Sequence, residues 1–181
     1  IARGGMVAQV LAARCPRRVL TLACVSSATG NPKTGLGSFS AIRAVLMPPP
    51  KDATPEQLRG HYVELMRAIG CDEDLFSPEE IDAIVDECES RGASPEALRR
   101  QLLAILASGD RRKQLRLLRL PSLVIHGLDD PLLPIAAGYE LSEHLVNSRM
   151  IEIEGMGHMM PRRRLADIAD VMAELCFSAA P

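Results

Sequence analysis

Two short segments concentrate the side chains that could do chemistry. His126-Gly127-Leu128-Asp129-Asp130-Pro131 carries two carboxylates, and Gly155-Met156-Gly157-His158 carries an imidazole. An imidazole whose tautomer a carboxylate fixes can take a proton from a hydroxyl and return it to a leaving group. An acid on one loop and a histidine on another are therefore two of the three parts of a nucleophilic triad. The same residues have an ordinary use as well, since Asp-Asp-Pro forms turns and a histidine can close a loop. Spacing alone leaves both readings open.

What would position these groups is a pair of strands. Ser122 to His126 reads as a strand. Arg149 to Ile153 alternates apolar and charged residues, the pattern of a half-solvated edge strand. A helix from Ile135 to His144 joins them. Another from Pro161 to Cys176 follows, with Leu165, Ile168, Ala169, Met172, Leu175 and Cys176 on one stripe. Near the start, Gly4 to Arg14 is apolar nearly all round, as in a helix buried in a larger protein, and Pro16 closes it. Val19 to Val25 then predicts a third buried parallel strand. Alternating strands and helices define an α/β chain, and in open parallel sheets functional groups gather where strands end, where the two loaded loops fall.

Between these parts the pattern changes. Ser26 to Pro50 is rich in Ser, Thr, Gly, Asn and Pro, with one apolar patch at Ile42 to Met47. Three helix starts follow at Thr54-Pro55-Glu56-Gln57, Ser77-Pro78-Glu79-Glu80 and Ser94-Pro95-Glu96, each with a capping hydroxyl, a first-turn proline and acids facing the positive end of the dipole. Leu58, Tyr62, Leu65, Met66 and Ile69 recur at helical spacing, as do Ile81, Ile84, Val85 and Cys88, and Leu98, Leu102, Ile105 and Leu106. The expectation is a helical insertion over 36–118 between core segments 1–35 and 119–181.

Composition narrows the function classes. The 181 residues suffice for one domain of ordinary size, and 21 basic against 23 acidic residues leave a net charge of -2, unlike a phosphate-neutralising nucleic-acid binder. No apolar run approaches the roughly 20 residues of a membrane helix, and no targeting signal opens the chain. Neither nucleic acid nor membrane is an expected partner. Cys15, Cys24, Cys71, Cys88 and Cys176 are odd in number and lack metal spacing, so they read as reduced thiols, in keeping with a cytoplasmic location. No metal motif, phosphate loop or paired catalytic carboxylates appear, and no cofactor is expected. Arg162, Arg163 and Arg164 read as a solvated face, and His61, His126 and His144 as structural. Met156, Met159 and Met160 are expected to line an apolar pocket beside His158.

The string from Leu120 to Pro134 (LPSLVIHGLDDPLLP), followed by Ile153 to His158 (IEGMGH), resembles the C-terminal signature of α/β-hydrolases, in particular the proline iminopeptidase and aclacinomycin methylesterase-like branch. Arg100 to Arg111 (RQLLAILASGDR) is similar to the same branch, and the likeness covers residues 1 to 176. The resemblance implies a partial α/β-hydrolase fold with a helical cap. It places the triad acid at Asp130, through the Gly-x-x-Asp pattern from Gly127, with Asp129 the weaker candidate, and the general base at His158. The implied activity is cofactor-free hydrolysis of a small ester or amide.

The resemblance also places the serine of the G-x-S-x-G elbow at Ala2 and one oxyanion-hole donor at the Arg3 backbone N–H. Alanine has no nucleophilic atom, so the chain is expected to be inactive. A C-terminal portion of a longer hydrolase, a degraded homologue and an engineered serine-to-alanine variant are the competing accounts, and a binding module that has lost its catalysis is the alternative function. Ser26 and Ser27, at the expected end of a strand, are the substitutes for the nucleophile. No strained turn is expected around them, and loop hydrogen bonding is their ordinary use.

Overall fold

A computed structural model describes residues 1–70, 78–91, 95–160 and 164–178. Cys71, the capping residues Ser77 and Ser94, Pro161, Arg162 and Arg163 lie outside the described residues, as do the side chains of Ile81, Cys88 and Leu98. The element order is α1 (Arg3–Arg14), β1 (Leu22–Val25), α2 (Phe39–Leu46), α3 (Pro55–Ala68), α4 (Pro78–Ser90), α5 (Pro95–Ser108), α6 (Arg112–Leu115), β2 (Ser122–Gly127), α7 (Ile135–His144), β3 (Ser148–Ile153) and α8 (Leu165–Ser178). The three strands form a parallel sheet in the order β1-β2-β3, with Leu22 opposite Ser122 and Ser122 opposite Ser148.

The period of two along each strand separates the core into two layers. Leu22, Cys24 and Val124 pack with Ala12, Leu115, Leu118, Leu141 and Leu145 on the face covered by α1, α6 and α7. Val25, Leu123 and Ile125 pack with Met156 and Ile168 on the face covered by α8. Both faces of β2 are covered, and its six residues are all buried.

Several expectations need correction. The strand expected from Val19 begins at Leu22, because Pro16–Arg18 form a 3-10 turn that carries Leu20 out to solvent before Leu22 N reaches the Pro121 carbonyl. Helix α1 is not buried all round. Its Gly5, Gln9 and Ala12 face is covered, while Val7 is 64% and Leu11 51% exposed. The stripe of α8 runs through Ile168, Val171, Met172 and Leu175, leaving Leu165, Ala169 and Cys176 exposed. Leu106 of α5 is exposed too.

Helices α2 to α5 lie between β1 and β2 in sequence. Thr54 forms a reciprocal capping box with Gln57 at the start of α3. Helix α2 falls where only an apolar patch was expected. Ser38 caps it by accepting from Ala41 N, a start signal hidden in a loop-like composition. Met66 of α3 and Ile69, which caps its end, pack with Val45, Ile84, Leu132 and Met159, so this segment's small core is closed by residues that directly follow the two loaded loops.

Candidate active site

The loop after β2 folds tightly back on itself. Asp130 is 5% exposed. Its Oδ1 accepts from Leu132 N and Leu133 N, both at 2.9 Å, as an aspartate does in a turn of this kind. Its Oδ2 lies 2.9 Å from His158 Nδ1. Asp129, one residue earlier, is exposed and accepts from Gly155 N at 3.1 Å, tying the acid loop to the histidine loop. Burial by itself would raise the Asp130 carboxyl, but the donors of His126 and His158 beside it, with the His158 charge and the Leu133 N–H, outweigh it and hold the group at about 2. Near neutral pH Asp130 is a carboxylate.

A carboxylate only accepts, so the 2.9 Å contact puts a hydrogen on His158 Nδ1 and leaves Nε2 as the basic nitrogen of the neutral ring. His158 is 7% exposed. Its backbone N–H donates to Ile69 O at the end of α3, at 3.0 Å. A Cβ at Gly157 would fall on the Gly70 carbonyl, so only glycine admits this approach of the helical segment to the histidine loop.

Ala2 lies at the carboxyl end of the neighbouring strand. Its N–H donates to Val25 O at 2.8 Å, and its carbonyl accepts from Ser27 Oγ at 2.9 Å. Its φ of 47° and ψ of -115° fall outside the left-handed helical well, a conformation costly for any residue with a Cβ. Helix α1 starts at the next residue, so the first N–H groups of the helix, Arg3's among them, have no partner within it. The Arg3 side chain hydrogen-bonds Gln101 of α5.

Behind Ala2 runs a buried chain of polar groups. Gln9 Nε2 donates to Ser27 Oγ at 3.4 Å, and Gln9 Oε1 accepts from Arg111 Nε at 3.0 Å. Arg111 is 4% exposed, and its guanidinium also donates to Ala28 O, Gly109 O and Ser108 Oγ. Sequence reading missed Arg111, whose neighbours Asp110 and Arg112 make an ordinary exposed charge run.

Ser26 departs from expectation: its own φ is 44°, a strained position. Its Oγ is sealed without a hydrogen-bond partner among the described residues, and Ser27 spends its hydroxyl on Ala2 O. The methionines also differ. Met156 is fully buried in the α8-side core, with Met160 packed beside it, and Met159 joins the α3 cluster, because the chain turns inward on both sides of His158. His144 Nδ1 lies 2.8 Å from Glu140 O, and the His61 ring meets Tyr62 edge-on. Arg164 is exposed and pairs with Asp167. Cys15, Cys24 and Cys176 are free thiols, and burial pushes that of Cys24 up to about 11. Among the described residues no cluster of His, Cys, Asp and Glu is arranged to hold a metal, and no helix is long and apolar enough to cross a membrane.

No family model and no curated protein matches the chain. Solved structures do. A meta-cleavage product hydrolase from Pseudomonas fluorescens is similar at 19% identity and a TM-score of 0.73, over 99% of this chain and 63% of its own. A 2-hydroxy-6-oxo-6-phenylhexa-2,4-dienoate hydrolase from a Rhodococcus strain is similar at 21% identity and 0.71, over 95% and 60%. A Mycobacterium tuberculosis protein described as a non-heme bromoperoxidase is similar at 19% and 0.69, over 100% and 66%. The fold is that of the α/β-hydrolases. It is partial, since the chain spans less than two thirds of the length of these structures.

Proposed function

We propose that the chain carries the acid, the histidine and the nucleophile position of an α/β-hydrolase acting on a small ester or amide without a cofactor. Asp130 orients His158 and offsets the imidazolium formed when Nε2 takes a proton, and Ala2 stands where the nucleophilic serine belongs. The observation that carries this reading is the buried 2.9 Å contact between Asp130 Oδ2 and His158 Nδ1. The strained, positive-φ backbone of Ala2, at the head of α1 and beside the end of β1, supports the nucleophile position. Segments 1–35 and 119–181 are then hydrolase core, and 36–118 is a cap that shapes substrate choice. The motif likeness favours the proline iminopeptidase and aclacinomycin methylesterase-like branch, and the free thiols fit a cytoplasmic enzyme.

The chain as it stands is inactive in this reading, because Ala2 has no nucleophilic atom. That same residue favours a second reading, a hydrolase-like module that binds a small apolar ligand or a protein without turning it over. A fluorophosphonate probe and an activated ester separate the possibilities. The unmodified chain should be neither labelled nor active. Ala2→Ser alone should stay inactive, since among the described residues only the Arg3 N–H is placed as an oxyanion donor, and the lack of one donor costs roughly 10² to 10³ in rate. Ala2→Ser in a chain preceded by the strands and oxyanion loop of a matched hydrolase should be labelled at position 2, and His158→Ala should then abolish turnover. Labelling of Ser26 or Ser27 in the unmodified chain, or turnover indifferent to His158→Ala, would overturn the assignment.

A further inference from the structure

A second histidine lies against Asp130 that a triad does not require. His126 is fully buried near the end of β2. Its Nε2 is 2.7 Å from Leu133 O and 3.5 Å from Asp130 Oδ2, the oxygen that faces His158. A carbonyl only accepts, so Nε2 carries the hydrogen: a short bond to Leu133 O, with a longer electrostatic contact to the carboxylate. Leu133 N donates to Asp130 Oδ1 at 2.9 Å, so Leu133 is held at both ends, by the acid at its N–H and by His126 at its carbonyl.

The other ring nitrogen is idle. His126 Nδ1 is buried with no hydrogen-bond partner among the described residues. Gly138 of α7 leaves room for it, since a Cβ there would stand 2.7 Å from Nδ1. An unpartnered buried polar atom carries an uncompensated desolvation cost that an aliphatic residue like its neighbours Val124 and Ile125 would not incur. Packing alone therefore does not account for a histidine here, whereas the contacts of its Nε2–H do.

We propose that His126 is a positioning residue for the Asp130–His158 pair, its Nε2–H clamping the Leu133 turn and abutting Oδ2 so that this oxygen stays aimed at His158 Nδ1. The inference deepens the reading of Asp130 as acid and His158 as base, and rests on it. Asp130 is faced by His126, His158 and the N–H groups of Leu132 and Leu133.

The test is NMR on the ¹⁵N-histidine-labelled chain near neutral pH, following the low-field His158 Nδ1–H proton. His126→Leu removes the donor and keeps apolar bulk, whereas His126→Gln keeps an amide N–H able to reach the place of Nε2. The Leu variant should displace the resonance and speed its solvent exchange by roughly tenfold or more, and the Gln variant should restore both. A folded Leu variant with an unchanged resonance would overturn the proposal. So would a Gln variant as perturbed as the Leu one. Should the Leu variant not fold, the Gln variant decides, by keeping or losing the wild-type resonance. Absence of the hydrogen-bonded proton from the wild-type chain would overturn the acid–base pair itself, whereas a resonance indifferent to His126 overturns only its positioning role.

Discussion

At the end of β2, Asp130 engages both carboxylate oxygens and His158 takes one of them, so that corner of the site is made of side chains. One strand away, at the end of β1, Ala2 contributes only backbone: an N–H on Val25, a carbonyl under Ser27 and a strained φ of 47°. In the proposed reading, the contrast shows how differently the parts of a triad are built. Acid and base are located by what their side chains bond to. The proposed nucleophile position is located by the path of the main chain at Ala2, which has no nucleophilic atom to present.

The two corners should respond to different perturbations. The largest effect is expected at the support of the elbow. Arg111→Met would strip donors from Gln9, Ala28 O and Gly109 O in a buried site, costing about 3 kcal/mol in denaturant unfolding. It should also sharpen the Ala2 side of the comparison by releasing Gln9, and through it Ser27. A variant as stable as the parent would show that the buried arginine does not support the elbow.

The next effect belongs to the acid corner. Because the Asp130 carboxyl is held at about 2 against an ordinary 3.8, its contribution is fully present above about pH 4 and is lost as pH falls from there through 2. The amount is about 2 kcal/mol. Glu140 is also held low, against its own burial, by Thr29, Asn31 and Thr34, so Asp130→Asn is the control. Its stability should fall less steeply across that window, and a profile parallel to the parent's would refute the assignment. The smallest effect is at Ala2. Glycine there relieves the strained φ, and Ala2→Gly should raise stability by about 1 kcal/mol. A loss of stability instead would mean that the elbow conformation carries no strain.

Much of the acid corner was legible in the chain because its signals are local. A buried strand, a Gly-x-x-Asp turn and a Gly-Met-Gly-His loop each announce themselves within a few residues, as does the Thr54 capping box. His126, read as structural, is fully buried against Leu133 O and beside Asp130, and the sequence signal for that contact is a histidine four residues before Asp130 across a tight turn. The methionines around His158 were misjudged because an apolar residue near a catalytic loop reads the same whether it faces a pocket or the core. Helix α2 was missed because its Ser38 cap sits among residues that also compose loops.

Periodicity and short turn chemistry depend on neighbours a few residues apart, so the alternation of strand and helix, the parallel class and the candidacy of Asp130 and His158 could be read from the order of the amino acids. Contacts between residues about a hundred positions apart could not. Arg111 reaching Gln9 and Ala28 arises only when the segment before α6 closes on α1 and the end of β1, and Ile69 meeting His158 and Gly70 lying against Gly157 only when the end of α3 closes on the loop after β3. The preference for Asp130 over Asp129 came from the motif likeness, and the tertiary structure adds the difference in their surroundings. Both are carboxylates in one turn, and only the folded loop buries one against His158 while leaving the other in water beside Gly155.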